Sequence, residues 1–192
     1  MDAIVLASSS PRRRELLTQA GIPFIVAPGD VDEEKADISG TPGRKAEQLA
    51  YMKALDVARS KSGIILGADT IVVCDDEIFG KPADAESARR MLRALSGREH
   101  LVITGIALID TSTGRASTGY ETTKVRFSVM SDKEIEAYIV SGEPFGKAGA
   151  YAIQGRAALF VESLDGCYFN VVGLPLRRLY CLLQDFGVEV NY

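Results

Sequence analysis

Gly63-Ile-Ile-Leu-Gly-Ala-Asp-Thr-Ile-Val-Val-Cys74 is an apolar run interrupted near its middle by one aspartate. Its β-branched content predicts a buried strand. Asp75-Asp-Glu77 after it reads as a turn, with Ile78-Phe79 as a brief return strand ending at Gly80-Lys-Pro82. Upstream, Ile4-Val-Leu-Ala7 and Phe24-Ile-Val-Ala27 read as short strands, and a helix opens at Pro11, where the missing N–H costs nothing. A second helix begins at Pro42, capped by Thr41, and runs to about Ser60. Downstream, Ala83–Leu95 reads as an amphipathic helix stopped by Gly97. Glu99–Asp110 and Ser117–Val129 are strand-like and joined by the turn Asp110-Thr-Ser-Thr-Gly114. Ser131-Asp-Lys-Glu134 is a capping box before a helix to about Val140. Gly142–Gly149 reads as loop, Ala157–Leu164 as a strand and Leu174–Phe186 as a final helix. Strands and helices are interspersed, with some strands adjacent as hairpins. The expected fold is α/β: a mixed twisted sheet flanked by helices.

The 192 residues suffice for one domain with a real core, 1–192, or for two small lobes around one cleft. Hydrophobic content of 46% with 25% charged residues is ordinary for a globular chain. No apolar run approaches the roughly 18–20 residues needed to span a bilayer. Met-Asp-Ala-Ile lacks the basic patch and long apolar region of a secretory signal. Cys74, Cys167 and Cys181 are odd in number and widely spaced, as in a reduced cytoplasmic protein. Net charge is −4, which excludes global attraction for a nucleic-acid duplex. His100 is the only histidine, so a His-rich zinc centre is excluded and a Ser-His-Asp triad has a single base available.

Several residues break their local pattern. Asp69 sits within the apolar strand, where a carboxylate is costly unless paired or metal-bound. It is expected to ligate a metal or accept a proton, the blander alternative being a bond to a nearby backbone turn. Its small neighbours Gly67 and Ala68 allow a ligand or another backbone to come close. Lys53 falls inside the stripe Ala46, Leu49, Ala50, Ala54 and Val57, so its ammonium either snorkels out or enters a polar cavity behind the helix. Leu6-Ala-Ser-Ser-Ser-Pro-Arg-Arg-Arg-Glu-Leu-Leu17 joins hydroxyls and guanidiniums to a helix N-terminus, a combination suited to an anion. Glu33 stands in the acidic turn Gly29–Glu34, and Lys81 and Lys147 in glycine-rich turns. Gln154, flanked by Ile153 and Gly155, offers paired donor and acceptor to a base edge, or to the backbone. There is no Gly-x-x-x-x-Gly-Lys-Ser/Thr loop, no Gly-x-Gly-x-x-Gly after the first strand and no second aspartate two residues after Asp69. P-loop, dinucleotide-binding and aspartyl-phosphate chemistries are thereby disfavoured.

Taken together, Leu6–Leu17, Gly67-Ala-Asp-Thr70, Gly80-Lys-Pro82 and Lys147-Ala-Gly-Ala-Tyr-Ala-Ile-Gln-Gly155 resemble the Maf family of septum-formation-associated nucleoside triphosphate pyrophosphatases. The resemblance covers nearly the whole chain, in order, and is greatest to the branch acting on dTTP and UTP. It implies an inosine-triphosphatase-like, Ham1-type fold and hydrolysis of a triphosphate to monophosphate and pyrophosphate with a divalent cation, Mg²⁺ or Mn²⁺. It implies Asp69 as proton acceptor and Arg12, Thr70 and Gln154 as base-selecting residues. Ser8, Arg13, Glu33, Lys53 and Lys81 would line the phosphate and metal region. From the charge on a triphosphate, Asp69 with Glu33 is expected to hold the cation. A homodimer is a further family-level expectation. Ser9-Ser10 stands where some members have glycine–serine, and Gly80 where some have an acidic residue. The rival readings are a nucleotide-sensing regulator of division that does not hydrolyse, and a phosphatase releasing orthophosphate.

Overall fold

The computed structural model describes residues 3–31 and 38–190. Among them the strands form one seven-stranded mixed sheet. Strand β1 (Ile4–Leu6) pairs in parallel with β2 (Phe24–Val26) and with β3 (Ile64–Cys74). β3 turns back antiparallel onto β4 (Glu77–Phe79). Beyond β3 the order continues through β5 (Glu99–Asp110) and β6 (Ala116–Phe127) to β7 (Val161–Asp165), which is antiparallel to β6. β3 and β5 are buried almost throughout, as central strands covered on both faces are. In β6 the burial alternates towards its end, with Thr123, Val125 and Phe127 inward.

The helices are α1 (Pro11–Gln19), α2 (Pro42–Ala58), α3 (Ala85–Leu95), α4 (Asp132–Val140), α5 (Tyr168–Val172) and α6 (Leu176–Asp185). Their ends follow the sequence. Thr41 Oγ1 accepts the Arg44 N–H at 3.4 Å, and Ser131 with Glu134 closes the expected capping box. α3 starts two residues later than expected, because Asp84 caps it and exchanges bonds with Ser87. Among the described residues no helix is long and apolar enough to cross a membrane.

Two expectations fail downstream. Arg156–Phe160 is 3₁₀-helix, and the strand there is Val161–Asp165, not Ala157–Leu164. The amides of Arg156 and Ala157 go to the Glu143 carboxylate, so they are not offered to a neighbouring strand. α5 was not expected at all, since Tyr-Phe-Asn-Val-Val is a poor helix former. It is anchored by Asn170, which is wholly buried and donates to Val102 O and Thr123 Oγ1, each at 2.9 Å.

The chain divides into two compact units. The first comprises residues 3–31 and 38–69, 104–121 and 173–190 of the described chain; the second comprises 70–103 and 122–172. In the first unit, α2 rests on a sheet face formed by Val5, Ala7, Ile65, Ala107 and Ile109, through Ala50, Ala54 and Val57. The approach is close because the sheet carries glycine beneath the helix. A Cβ on Gly67 would lie 2.0 Å from Ala50 O, and one on Gly105 would lie 2.2 Å from Ala46 O. The small residues flanking Asp69 thus admit a helix backbone.

Candidate functional site

Side chains alternate along a strand, so Gly67 and Asp69 share the face on which α2 lies. α2 presents Lys53 between Ala50 and Ala54, and its ammonium points inward. Lys53 Nζ donates to Asp69 Oδ1 at 2.5 Å. The side chains are only 16% and 8% exposed, so this pair is shielded from bulk water. Two charges so placed lose hydration, and their attraction compensates only when the geometry is close. Asp69 is therefore neither unpaired nor bonded solely to a backbone turn, and Lys53 does not snorkel.

β1 is the parallel neighbour of β3, and its end is paired near the start of that strand. Leu6 is in register with Leu66, and Ala7 N–H donates to Leu66 O at 2.8 Å. Ser8 follows immediately, at the carboxyl end of a parallel strand, where open α/β sheets place their ligands. Ser8 Oγ accepts Arg13 Nη1–H at 3.0 Å and the Ser10 amide at 3.2 Å. Arg13 Nε donates to Gly173 O at 2.9 Å, so one guanidinium ties the β1–α1 turn to the start of the final segment. A backbone carbonyl leaves no side-chain signal, and the sequence does not reveal Gly173 as a partner of Arg13. Arg12, half-buried, occupies the first turn of α1. Within the first unit, then, Lys53 pairs with Asp69 and Ser8 with Arg13.

In the second unit Thr70 is half-buried on β3. The turns carrying Lys81 and Lys147 are bonded together, Gly149 N–H donating to Gly80 O at 3.1 Å. Gly149 lies against Val72, on the same face of β3 as Thr70, with its φ at +67°. Lys81 is exposed, and Lys147 Nζ donates to Phe145 O at 3.1 Å. Gln154 is exposed on the turn before the 3₁₀ segment. Glu33 lies outside the described residues.

His100 is no nucleophile-activating base. It is 2% exposed, with Nε2 2.8 Å from Tyr151 Oη and its ring edge-on to Phe127. Burial holds its pKa down to about 4, leaving it neutral near pH 7, and burial pushes the Tyr151 phenol up. Among the described residues His100 Nδ1 has no hydrogen-bond partner.

For a divalent cation, the relevant test is the donor set. Among the described residues no group of three His, Cys, Asp or Glu side chains forms a cage. Asp69 offers one hard carboxylate midway along β3, its Oδ1 engaged by Lys53. One such oxygen donor serves a hard divalent cation only where phosphate oxygens and waters complete the shell.

The family model described as Maf-like protein matches residues 3–186 of this chain. A dTTP/UTP pyrophosphatase of Ruminiclostridium cellulolyticum is 55% identical over 191 residues, 99% of each chain. One from Pelotomaculum thermopropionicum is 49% identical over 191 residues, 99% of this chain and 100% of that one. Among solved structures, a HAM1 protein from Coxiella burnetii aligns with a TM-score of 0.50 at 16% identity, over 96% of this chain and 100% of that one. That likeness bears on the fold alone, and the Ham1-type mixed α/β expectation is borne out.

Proposed function

We propose, on the premise that this chain belongs to the Maf family, that it hydrolyses dTTP and UTP to the monophosphate and pyrophosphate. The observation that carries the reading is the shielded Lys53–Asp69 pair, set midway along β3 beneath α2. A carboxylate there, oriented through one oxygen by an ammonium, is placed for acid–base work beside a polyanion.

The chemistry begins with a water held by the Asp69 carboxylate. Its oxygen attacks the α-phosphorus in line while its proton passes to Asp69. The bond from that phosphorus to the bridging oxygen breaks, and pyrophosphate leaves with the electron pair. Lys53 fixes the carboxylate, and with Ser8, Arg13 and Lys81 it balances the triphosphate charge. Arg12, Thr70 and Gln154 select the base, with the Gln154 amide facing the carbonyl and imide of a pyrimidine. Asp69 and Glu33 would hold the divalent cation, which when bound neutralises phosphate charge and polarises the reacting phosphoryl group. The working context in this proposal is a cytoplasmic nucleotide pool, with the chain acting as a homodimer.

The test is a product assay. Purified protein is incubated with Mg²⁺ or Mn²⁺ and a panel of dTTP, UTP, CTP, GTP and 7-methyl-GTP, and pyrophosphate and orthophosphate are measured separately. Pyrophosphate from dTTP and UTP is the expected result. Orthophosphate alone, or tight binding with no product, would replace this reading with a phosphatase or a sensor. A highest kcat/KM for 7-methyl-GTP would overturn the base assignment.

A further inference from the structure

The turn that presents Gln154 hangs from two side chains outside the site described above. Tyr138 on α4 is 3% exposed, and its hydroxyl accepts the Ala152 N–H at 3.3 Å. The same hydroxyl donates to Glu143 Oε1 at 2.9 Å. Glu143 then accepts on the other flank, from Arg156 N–H at 3.1 Å and Ala157 N–H at 3.5 Å. One phenol–carboxylate pair therefore holds the backbone on both sides of Gln154. Between the flanks, Gly155 provides the space: a Cβ there would come within 2.1 Å of Glu143 Oε1. The φ of Gly155 is −103°, so the glycine serves the carboxylate's room and not a left-handed backbone.

A glutamine amide discriminates between bases only if its donor and acceptor are held in place, to within about 0.5 Å for a productive site. Gln154 itself is exposed, so its precision must come from the turn beneath it. A carboxylate accepting backbone amides is a strong anchor for such a turn. We infer that Glu143, seated by Tyr138, is a positioning residue for nucleobase selection, holding the Gln154 turn in the conformation that faces the base. This rests on the assignment of Gln154 to the base under the proposed function.

The variants are Glu143→Ala, Glu143→Gln, Gly155→Ala, Gln154→Ala and the Glu143→Ala/Gln154→Ala double. Gly155→Ala keeps the carboxylate in the chain but displaces it, so it tests the clamp even if Glu143→Ala fails to fold. Steady-state kinetics with dTTP and CTP should show KM for dTTP raised roughly tenfold in Glu143→Ala and Gly155→Ala, with weaker preference over CTP. Their kcat should stay within about twofold of wild type, while Glu143→Gln keeps part of the selectivity. Hydrogen exchange should accelerate at the amides of Ala152, Arg156 and Ala157. In the Gln154→Ala background, Glu143→Ala should add nothing to KM. Additive effects, or a fall in kcat at unchanged KM, overturn the inference while leaving the Gln154 assignment intact. Wild-type base preference in Gln154→Ala overturns that assignment and the inference with it.

Discussion

Replacing Lys53 with methionine keeps most of the side-chain volume and removes the charge beside Asp69. With Nζ 2.5 Å from Oδ1, the gross attraction at an effective dielectric of 20 is about 7 kcal/mol. Most of it offsets lost hydration, because the two side chains are only 16% and 8% exposed. What Lys53→Met leaves behind is a shielded carboxylate with its ammonium gone, and orphaning one partner costs roughly 3–5 kcal/mol. For a chain of this size, that lowers Tm by about 6–20 °C. Asp69→Leu should cost a similar amount for the mirror-image reason. The double variant Lys53→Met/Asp69→Leu removes both charges and should be more stable than either single variant, with a coupling of about 2 kcal/mol or more. All three should be inactive. Urea unfolding of the four proteins at neutral pH supplies the cycle, and a product assay supplies the activity. Single variants that cost under about 1 kcal/mol each and add in the double would mean a water-screened pair, refuting the argument from burial.

Asp69→Asn should lower kcat by about 10²-fold or more with KM for dTTP little changed, as for a lost proton acceptor; near-wild-type turnover would remove Asp69 from the chemistry. Gly67→Ala should destabilise by roughly 2–3 kcal/mol, since the new methyl meets Ala50 O at 2.0 Å and must lift α2, which carries Lys53. Unchanged stability in denaturant would show that the helix does not bear on the strand there. His100 gives a pH dependence of defined sign: its folded pKa of about 4 lies below the unfolded 6.5, so the unfolded chain binds more protons between them. Its contribution is complete above pH 6.5 and lost as pH falls towards 4, amounting to about 3 kcal/mol there. Urea midpoints across that range should therefore fall with pH more steeply in the wild type than in a variant lacking the imidazole, His100→Gln. Equal slopes would contradict a buried neutral ring.

The parts of the fold written in local pattern were legible. The apolar run Gly63–Cys74 is β3 and its neighbour across the turn is β4; Thr41 and Ser131 start the helices they were expected to start. Lys53 was visible as a charge inside an alanine stripe, and Asp69 as a charge inside a strand. That the two meet depends on Gly67 and Gly105 letting α2 settle on the sheet, a contact between segments that no single window contains. The 3₁₀ stretch Arg156–Phe160 was missed for the same reason, its first amides being claimed by a carboxylate thirteen residues upstream. Gly173 binds Arg13 through its carbonyl, which every residue possesses.

Among the described residues the first unit holds two buried carboxylates, Glu47 and Asp69, and comparing them shows what burial alone does not decide. Glu47 is 7% exposed and Asp69 5%, and each has a cationic partner. Glu47 also accepts the Thr118 hydroxyl, and its cation, Arg44, has a side chain 66% exposed. That guanidinium keeps its hydration, and the Glu47 cluster faces outward as a helix-to-sheet tie. Lys53 gives up most of its hydration to point inward at Asp69, the costlier arrangement of the two. A tie between helix and sheet does not require that cost, because Glu47 achieves one without it. The difference also follows position: Asp69 lies midway along β3, three residues past the Leu66 that pairs with the end of β1, and faces α2. An inward charge pair is therefore the more costly tie, and the proposed acid–base role of Asp69 supplies a reason for it that stability alone does not.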